Sequence, residues 1–292
     1  MYPGTMSPEE WRARGEMLSL PDGRVFVLQM AAASQAVPVL LLHGFPTSSW
    51  DFAAVARALG EARPLIFLDF LGFGFSEKPR DMGYSLFEQA DVVCQVVRHL
   101  GHPRVHLVAH DMGTSVATEL LARRERRLLP FEVSSLTLMN GSVHIELASL
   151  SIGQHLLRSP LGPVFARINN RRTFKVQMRR IFGTPPSESD LDGMWDLVAR
   201  EDGAVNFPKI IEYTRERSRF RRRWIGALER LDLPALVAWG RRDPIAVAAI
   251  AEALAREIPG AELVWWDDLG HYPQVEAPER VASVLREFVA RA

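Results

Sequence analysis

Apolar positions along the first half of the chain fall into short blocks that alternate between two periods. Residues 15–20 and 24–30 flank Pro21-Asp22-Gly23, a turn sequence, and predict a hairpin. Residues 38–43 and 64–69 are nearly continuous apolar runs, the pattern of strands covered on both faces. Between them, 49–59 has helical spacing. The alternation continues with a helix over 85–100, a strand over 104–110, a helix over 112–124 and a strand over 133–139. Strand and helix in strict turn predict a mostly parallel sheet with right-handed crossovers.

From about residue 141 to residue 230 the pattern changes to helical segments and loops without a convincing strand, broken at Gly183-Thr184-Pro185-Pro186-Ser187. Alternation resumes with strands over 234–240 and 261–266 and helices over 246–258 and 278–290. The simplest organisation is a core of residues 1–140 and 231–292, with a helical cap, 141–230, inserted after the sixth of eight strands and placed over the strand ends.

Composition narrows the function classes more than the fold. The chain has 292 residues, 47% hydrophobic and 24% charged, enough for one large core with an insertion. Lys plus Arg and Asp plus Glu are equal at 35 each, so no overall charge argues for nucleic acid or for an anionic membrane. No apolar run approaches the thickness of a bilayer, and residues 1–15 lack a secretory leader pattern, so no membrane insertion and a cytoplasmic location are expected. A single cysteine, Cys94, rules out an internal disulfide and reads as core filler. His99, His102 and His106 make no recognisable metal set, and no metal or cofactor is expected.

The most informative stretch is Val108-Ala109-His110-Asp111-Met112-Gly113, where a buried strand runs into a tight turn and a helix starts at once. Small residues at i−2 and i+2 of Asp111 match a nucleophile elbow, whose crowded backbone tolerates only small neighbours. Asp111 alone could equally be a helix N-cap. Three further segments shift the balance. His43-Gly44-Phe45-Pro46 follows a strand where an oxyanion loop belongs, and the backbone N–H groups of Phe45 and Met112 could converge on one oxygen. Asp243 and His271 each follow a later strand, so the chain order is nucleophile, acid, base. Glu146, just beyond the sixth strand, is the alternative acid.

These motifs, with Asp69-Phe70-Leu71-Gly72-Phe73-Gly74-Phe75-Ser76 and Gly270-His271, resemble the epoxide hydrolase and haloalkane dehalogenase branch of the α/β-hydrolases. Within that branch, Met194-Trp195, the stretch Phe220-Arg221-Arg222-Arg223-Trp224 and His271-Tyr272-Pro273-Gln274 resemble mesoderm-specific transcript proteins and their bacterial relatives. The resemblance implies an α/β-hydrolase fold. A carboxylate at the elbow needs no deprotonation at neutral pH and can displace a leaving group at saturated carbon, which fits epoxides and alkyl halides rather than ordinary esters. Met112 and Phe45 stand where dehalogenases place tryptophan and asparagine, so an epoxide is the expected substrate and haloalkane dehalogenation the alternative. An epoxide oxygen needs a proton donor. Tyr213 is the sole tyrosine of the insertion, with His155 and His144 as further ring-opening candidates. The expectation is thus a small hydrophobic epoxide as partner, no nucleic acid, and a monomer or homodimer. A hydrolase-like binding protein with a vestigial site is the reading from another class.

Overall fold

The computed structural model describes residues 6–32 and 35–292; residues 1–5, the start of the stretch searched for a leader, lie outside the described residues. Eight strands form one sheet: β1 (Glu16–Leu20), β2 (Gly23–Met30), β3 (Val39–Leu42), β4 (Leu65–Leu68), β5 (Arg104–His110), β6 (Glu132–Met139), β7 (Ala235–Gly240) and β8 (Glu262–Trp266). Their order is β1-β2-β4-β3-β5-β6-β7-β8. The hairpin β1–β2 joins β4 antiparallel, and every pairing from β4 to β8 is parallel. The expected mostly parallel, eight-stranded sheet flanked by helices is what forms.

Burial explains the sequence pattern. β3 and β4 are buried at all four positions, and β5 at all but its first, because helices cover both faces. β1 and β8, at the two edges, are only partly buried. The stretch expected as one helix over 49–59 is a 3₁₀ turn, Ser49–Phe52, followed by an α-helix, Ala53–Leu59. Ser48 caps the turn, accepting from the Trp50 N–H.

The topology gathers particular residues at one edge. The chain leaves β3 for β4 on one side and returns to β5 on the other, so β3 and β5 flank a topological switch point. Leu42 pairs with Ala109, His110 with Met139, and Gly240 with Trp266, which brings the carboxyl ends of five parallel strands level. Whatever follows those ends meets its counterparts.

Between β6 and β7 the described chain is helical: Ile152–Leu157, Gly162–Ile168, Arg171–Arg179, Glu188–Ala199, Phe207–Ile210, Tyr213–Arg219 and Arg221–Glu229, with a 3₁₀ segment Arg200–Asn206. The helix Arg221–Glu229 is tied to the helix after β5, Met112–Glu125, through buried Glu119. That carboxylate accepts from Arg223 at 2.6 and 2.8 Å, from Arg123 at 2.9 Å and from the Trp224 indole at 2.9 Å. Burial opposes its ionisation, but the two guanidinium groups and the indole outweigh burial and hold it below the ordinary glutamate range. Its contribution is therefore full above that range and fades as pH falls through the lowered value. Glu119→Ala strands the Arg223 guanidinium and the Trp224 indole N–H, while Arg123 keeps Asp91, and is expected to lower the unfolding free energy by about 3 kcal/mol. Chemical denaturation checks this; a loss below about 1 kcal/mol would show that the cluster does not hold the segment.

Candidate active site

Asp111 occupies the bend between β5 and the following helix with φ 48° and ψ −113°, a backbone conformation that non-glycine residues rarely adopt. Such strain costs about 1–3 kcal/mol and persists only where the surroundings enforce it. Here they do. The Asp111 carbonyl accepts from the Thr114 N–H at 3.2 Å, the Thr114 hydroxyl at 2.6 Å and Arg217 Nη2 at 3.3 Å. A Cβ on Gly113 would lie 2.6 Å from the His43 carbonyl oxygen and 2.7 Å from that of Leu42, so the elbow can close on the β3 loop only with glycine there. At Gly44 a Cβ would come within 2.4 Å of the Asp111 Cβ. The side chain makes no N-cap hydrogen bond. The simple capping reading of this aspartate does not hold.

Its carboxylate instead faces two groups. Oδ1 accepts from the Phe45 N–H at 2.7 Å, and Oδ2 lies 3.6 Å from His271 Nε2, a charge pair too long for a hydrogen bond. The other ring nitrogen, Nδ1, is 2.6 Å from Asp243 Oδ2. Asp243 is itself fixed: Oδ1 accepts from the Ile245 and Ala246 N–H groups at 2.8 and 2.9 Å, and Oδ2 from Asn140 Nδ2 at 2.8 Å. All three charged side chains are at least 96% buried.

The electrostatics follow from that enclosure. Burial opposes the Asp111 charge, but the facing His271, aided by Arg217 and His110, holds the carboxyl well below the usual aspartate range. Burial likewise opposes the imidazolium, yet Asp243 and Asp111 overcome it and push His271 up to about 10. The two carboxylates on either side of the ring thus favour its protonated form.

The loop carrying Phe45 is held from behind. His43 Nε2 accepts from the Phe70 N–H at 3.0 Å while its ring packs against Phe70 and Phe73. Asp69 accepts from the Ser49 and Phe75 N–H groups at 2.8 and 2.7 Å. The Tyr272 hydroxyl donates to the Phe45 carbonyl at 3.3 Å. The glycine-rich segment 72–76 is thus the support of the Phe45 loop.

A cavity of about 260 Å³ reaches Asp111 and His271, walled by apolar side chains that include Phe45, Phe174, Met178 and Phe207. A larger depression, about 930 Å³, lies at the amino ends of β5 and β6; paired charges such as Arg104 with Glu132 and Arg124 with Asp232 line it. It holds no nucleophile beside a base, and we assign the chemistry to the smaller cavity. Among the described residues no group of three or more His, Cys, Asp or Glu side chains could hold a metal ion. No helix among them is long and apolar enough to cross a membrane.

The ring-opening candidates separate. Tyr213 is buried and does not itself line the cavity, but it packs behind a residue that does, its ring 6.1 Å from that of Phe45, with the Arg217 guanidinium 4.5 Å over its face. Burial, then the Asp111 charge, raises its phenol above the ordinary tyrosine range; the nearby Arg217 and Gln154 side chains pull the other way. His155 is an exposed residue and does not line the cavity. Adjacent positions on a helix point about 100° apart, and it is Gln154 that turns inward. His144 is buried but both its nitrogens are taken, Nδ1 by Glu146 at 2.9 Å and Nε2 by Glu257 at 2.6 Å. Glu146, the alternative acid, binds His144 and Arg221, while His271 turns to Asp243.

Three participants were not singled out from the sequence. Asn140 follows β6 at the shared edge; beyond its bond to Asp243 it accepts from the Gly240 N–H at 2.9 Å, tying β6 to β7. Arg217 is 1% exposed, donates to Ser115 Oγ at 2.8 Å and makes no carboxylate pair among the described residues. Its spacing of four from Tyr213, which places both on one helix face, was the available signal. Gln154 was hidden one position from His155.

Comparison with known proteins adds the lineage. A family model described as alpha/beta hydrolase fold matches residues 37–278. LipZ of Mycobacterium tuberculosis is 44% identical over 280 residues, covering 95% of this chain and 96% of that protein. The mouse mesoderm-specific transcript protein is 36% identical over 300 residues, covering 98% and 90%. Among solved structures, haloalkane dehalogenase DbeA from Bradyrhizobium elkani has a TM-score of 0.82 at 22% identity, covering 95% of this chain and 97% of its own. Epoxide hydrolase CorEH has 0.79 at 21%, covering 95% and 98%. At those identities the two structures speak for the fold alone.

Asp111→Asn removes one of the two anions that stabilise the imidazolium. The His271 pKa is expected to fall by about one unit or more. Titration of its ring protons by nuclear magnetic resonance reads this directly, and an unchanged value would mean that the two side chains are not electrostatically coupled.

Proposed function

The chain belongs to the α/β-hydrolase family, and on that premise we propose that it is an epoxide hydrolase working through a covalent ester of Asp111. The observation that carries the reading is an aspartate side chain at the elbow, with one oxygen held by the Phe45 N–H and the other facing His271. In this reading residues 141–230 form a cap over the core, and Asp111, His271, Asp243 and Tyr213 are the catalytic residues.

The hydrogen-bonded Oδ1 is the less available nucleophile, so Oδ2 attacks a ring carbon of the epoxide. The carbon–oxygen bond of the ring breaks as the Tyr213 hydroxyl delivers its proton to the departing oxygen. Arg217, over the tyrosine ring, stabilises the tyrosinate left behind. The product of this step is a hydroxyalkyl ester of Asp111.

Esterification changes the base as well as the substrate. Asp111 loses its charge, so one of the two anions that raise the His271 pKa disappears, and the imidazolium can give up its proton to solvent, from which the Tyr213 tyrosinate recovers its own. Neutral His271 then takes a proton from a water in the space beyond Nε2, and the hydroxide adds to the Asp111 carboxyl carbon. The resulting oxyanion on Oδ1 meets the Phe45 N–H and the Met112 N–H at the helix start. Collapse breaks the bond from the carboxyl carbon to Oδ2, which leaves in the product; the departing alkoxide takes the proton still on the added oxygen, so a vicinal diol is released and the carboxylate restored. Asp243, held by Asn140 and two backbone amides, orients the ring throughout.

The apolar cavity fits a hydrophobic epoxide. No tryptophan lines it, so the indole N–H that would hold a departing halide is not at hand there.

Four outcomes test the assignment. His271→Gln is expected to accumulate a mass increment equal to one epoxide on Asp111, and Asp111→Ala to abolish it. Tyr213→Phe should slow formation of that ester by about 10²–10⁴-fold while leaving its hydrolysis nearly unchanged. In the native protein the ester should accumulate as pH is lowered, because alkylation needs only the carboxylate whereas hydrolysis needs neutral imidazole. A panel of styrene oxide, long-chain epoxides, haloalkanes and p-nitrophenyl esters should yield diol from at least one epoxide; cleavage of esters alone would overturn the reading.

A further inference from the structure

The helical segment carries an exposed face unlike the rest of the surface. Leu161, Val164 and Ile168, at 65%, 56% and 65% exposure, recur at helical spacing and form one stripe along the helix Gly162–Ile168 and its N-cap. Ile152 and Leu156 form a second pair at i and i+4 on the preceding helix, which packs against the first. Both are exposed and both border the cavity that reaches Asp111. The cavity mouth therefore opens among aliphatic side chains with nothing covering them.

The stretch of chain that carries this face is one-sided in charge, although Glu212, paired to Arg215, and Asp202, which shares a depression with Arg167, come near it from elsewhere in the sequence. Residues 147–187 contain Arg158, Arg167, Arg171, Arg172, Lys175, Arg179 and Arg180 and no Asp or Glu, in a chain that is otherwise balanced. Arg171, Lys175 and Arg179 are matched by Asp192, Asp196 and Glu188 of a neighbouring helix. Arg167, Arg172 and Arg180 are exposed and form no ion pair among the described residues, and Arg180 also borders the cavity.

Each possible occupant makes different demands. A second copy docking by the same face would set these arginines against their own equivalents, so like charge opposes it. A protein partner is usually anchored by aromatic side chains in pockets, whereas this face presents isoleucine, leucine and valine. An anionic bilayer satisfies both features: short aliphatic chains enter the boundary between headgroups and acyl chains, and guanidinium groups meet phosphates. We propose that this face docks the protein on an anionic lipid surface without spanning it, with the cavity mouth against the membrane. A hydrophobic substrate dissolved in the bilayer then enters without crossing water. The overall charge of zero conceals a local basic and apolar face.

Docking can be tested without reference to the reaction at Asp111. The full chain is sedimented with vesicles of phosphatidylglycerol and phosphatidylcholine in equal parts, and with phosphatidylcholine alone. Binding is expected to be about tenfold or more stronger to the anionic vesicles and to weaken as salt is raised. A Leu161→Ser, Val164→Ser, Ile168→Ser variant, altered only outside the cavity lining, should lose about tenfold or more. Arg167→Gln with Arg172→Gln should lose roughly fivefold per arginine. Unchanged thermal unfolding confirms that each variant is folded; should the serine variant unfold, the arginine variant decides. Absence of sedimentation with anionic vesicles, equal binding to both kinds, or a dimer in solution that the serine variant converts to monomer would each overturn the proposal.

Discussion

The His271 ring, buried between two carboxylates, Asp111 and Asp243, that favour its protonated form, makes the interaction on which the site depends. Taking three charges out of water is costly unless each is paired and the remaining lone pairs are satisfied. Here they are: Asp243 is held by two backbone amides and Asn140, and Asp111 by the Phe45 N–H. With Arg217 buried beside them, the formal charges of the cluster cancel. Alkylating Asp111 in the proposed cycle breaks that balance in the direction the second step needs, since the imidazolium loses one of its two anions and becomes a base.

The fold exists around that arrangement in a specific sense. Five parallel strands end level, and the residues that follow β3, β5, β6, β7 and β8 supply the Phe45 amide, Asp111, Asn140, Asp243 and His271 in turn. No one element carries the site. The elbow backbone at Asp111 is strained, and Gly113 and Gly44 are the positions where an added methyl group would push the two loops apart.

Much of this was legible in the sequence because it rests on local pattern. β5 and the start of the helix after it lie where the apolar run and the flanking small residues put them. The alternation of buried runs and amphipathic stretches gave the sheet, while the break at 49–53 between 3₁₀ and α geometry lay below its resolution. What the pattern did not carry is which way a short helix faces. His155 and Gln154 differ by one position, and only packing decides which turns inward. His144 lay at the right place in the chain but is consumed by two carboxylates, Glu146 two positions on and Glu257 far away in sequence. Arg217 stands in an arginine-rich stretch where solvated and buried guanidinium groups look alike; its burial depends on Ser115, about a hundred residues earlier.

The central claim is that water attacks the carboxyl carbon of an esterified Asp111 and not the epoxide. A single turnover in heavy-oxygen water, with enzyme in excess over styrene oxide or another epoxide that is turned over, distinguishes the two. The account predicts that the heavy oxygen is retained in the Asp111 side chain, found by peptide mass analysis, and that the first diol released carries oxygen from the protein. Label delivered straight to the diol, with Asp111 left unlabelled, would contradict it.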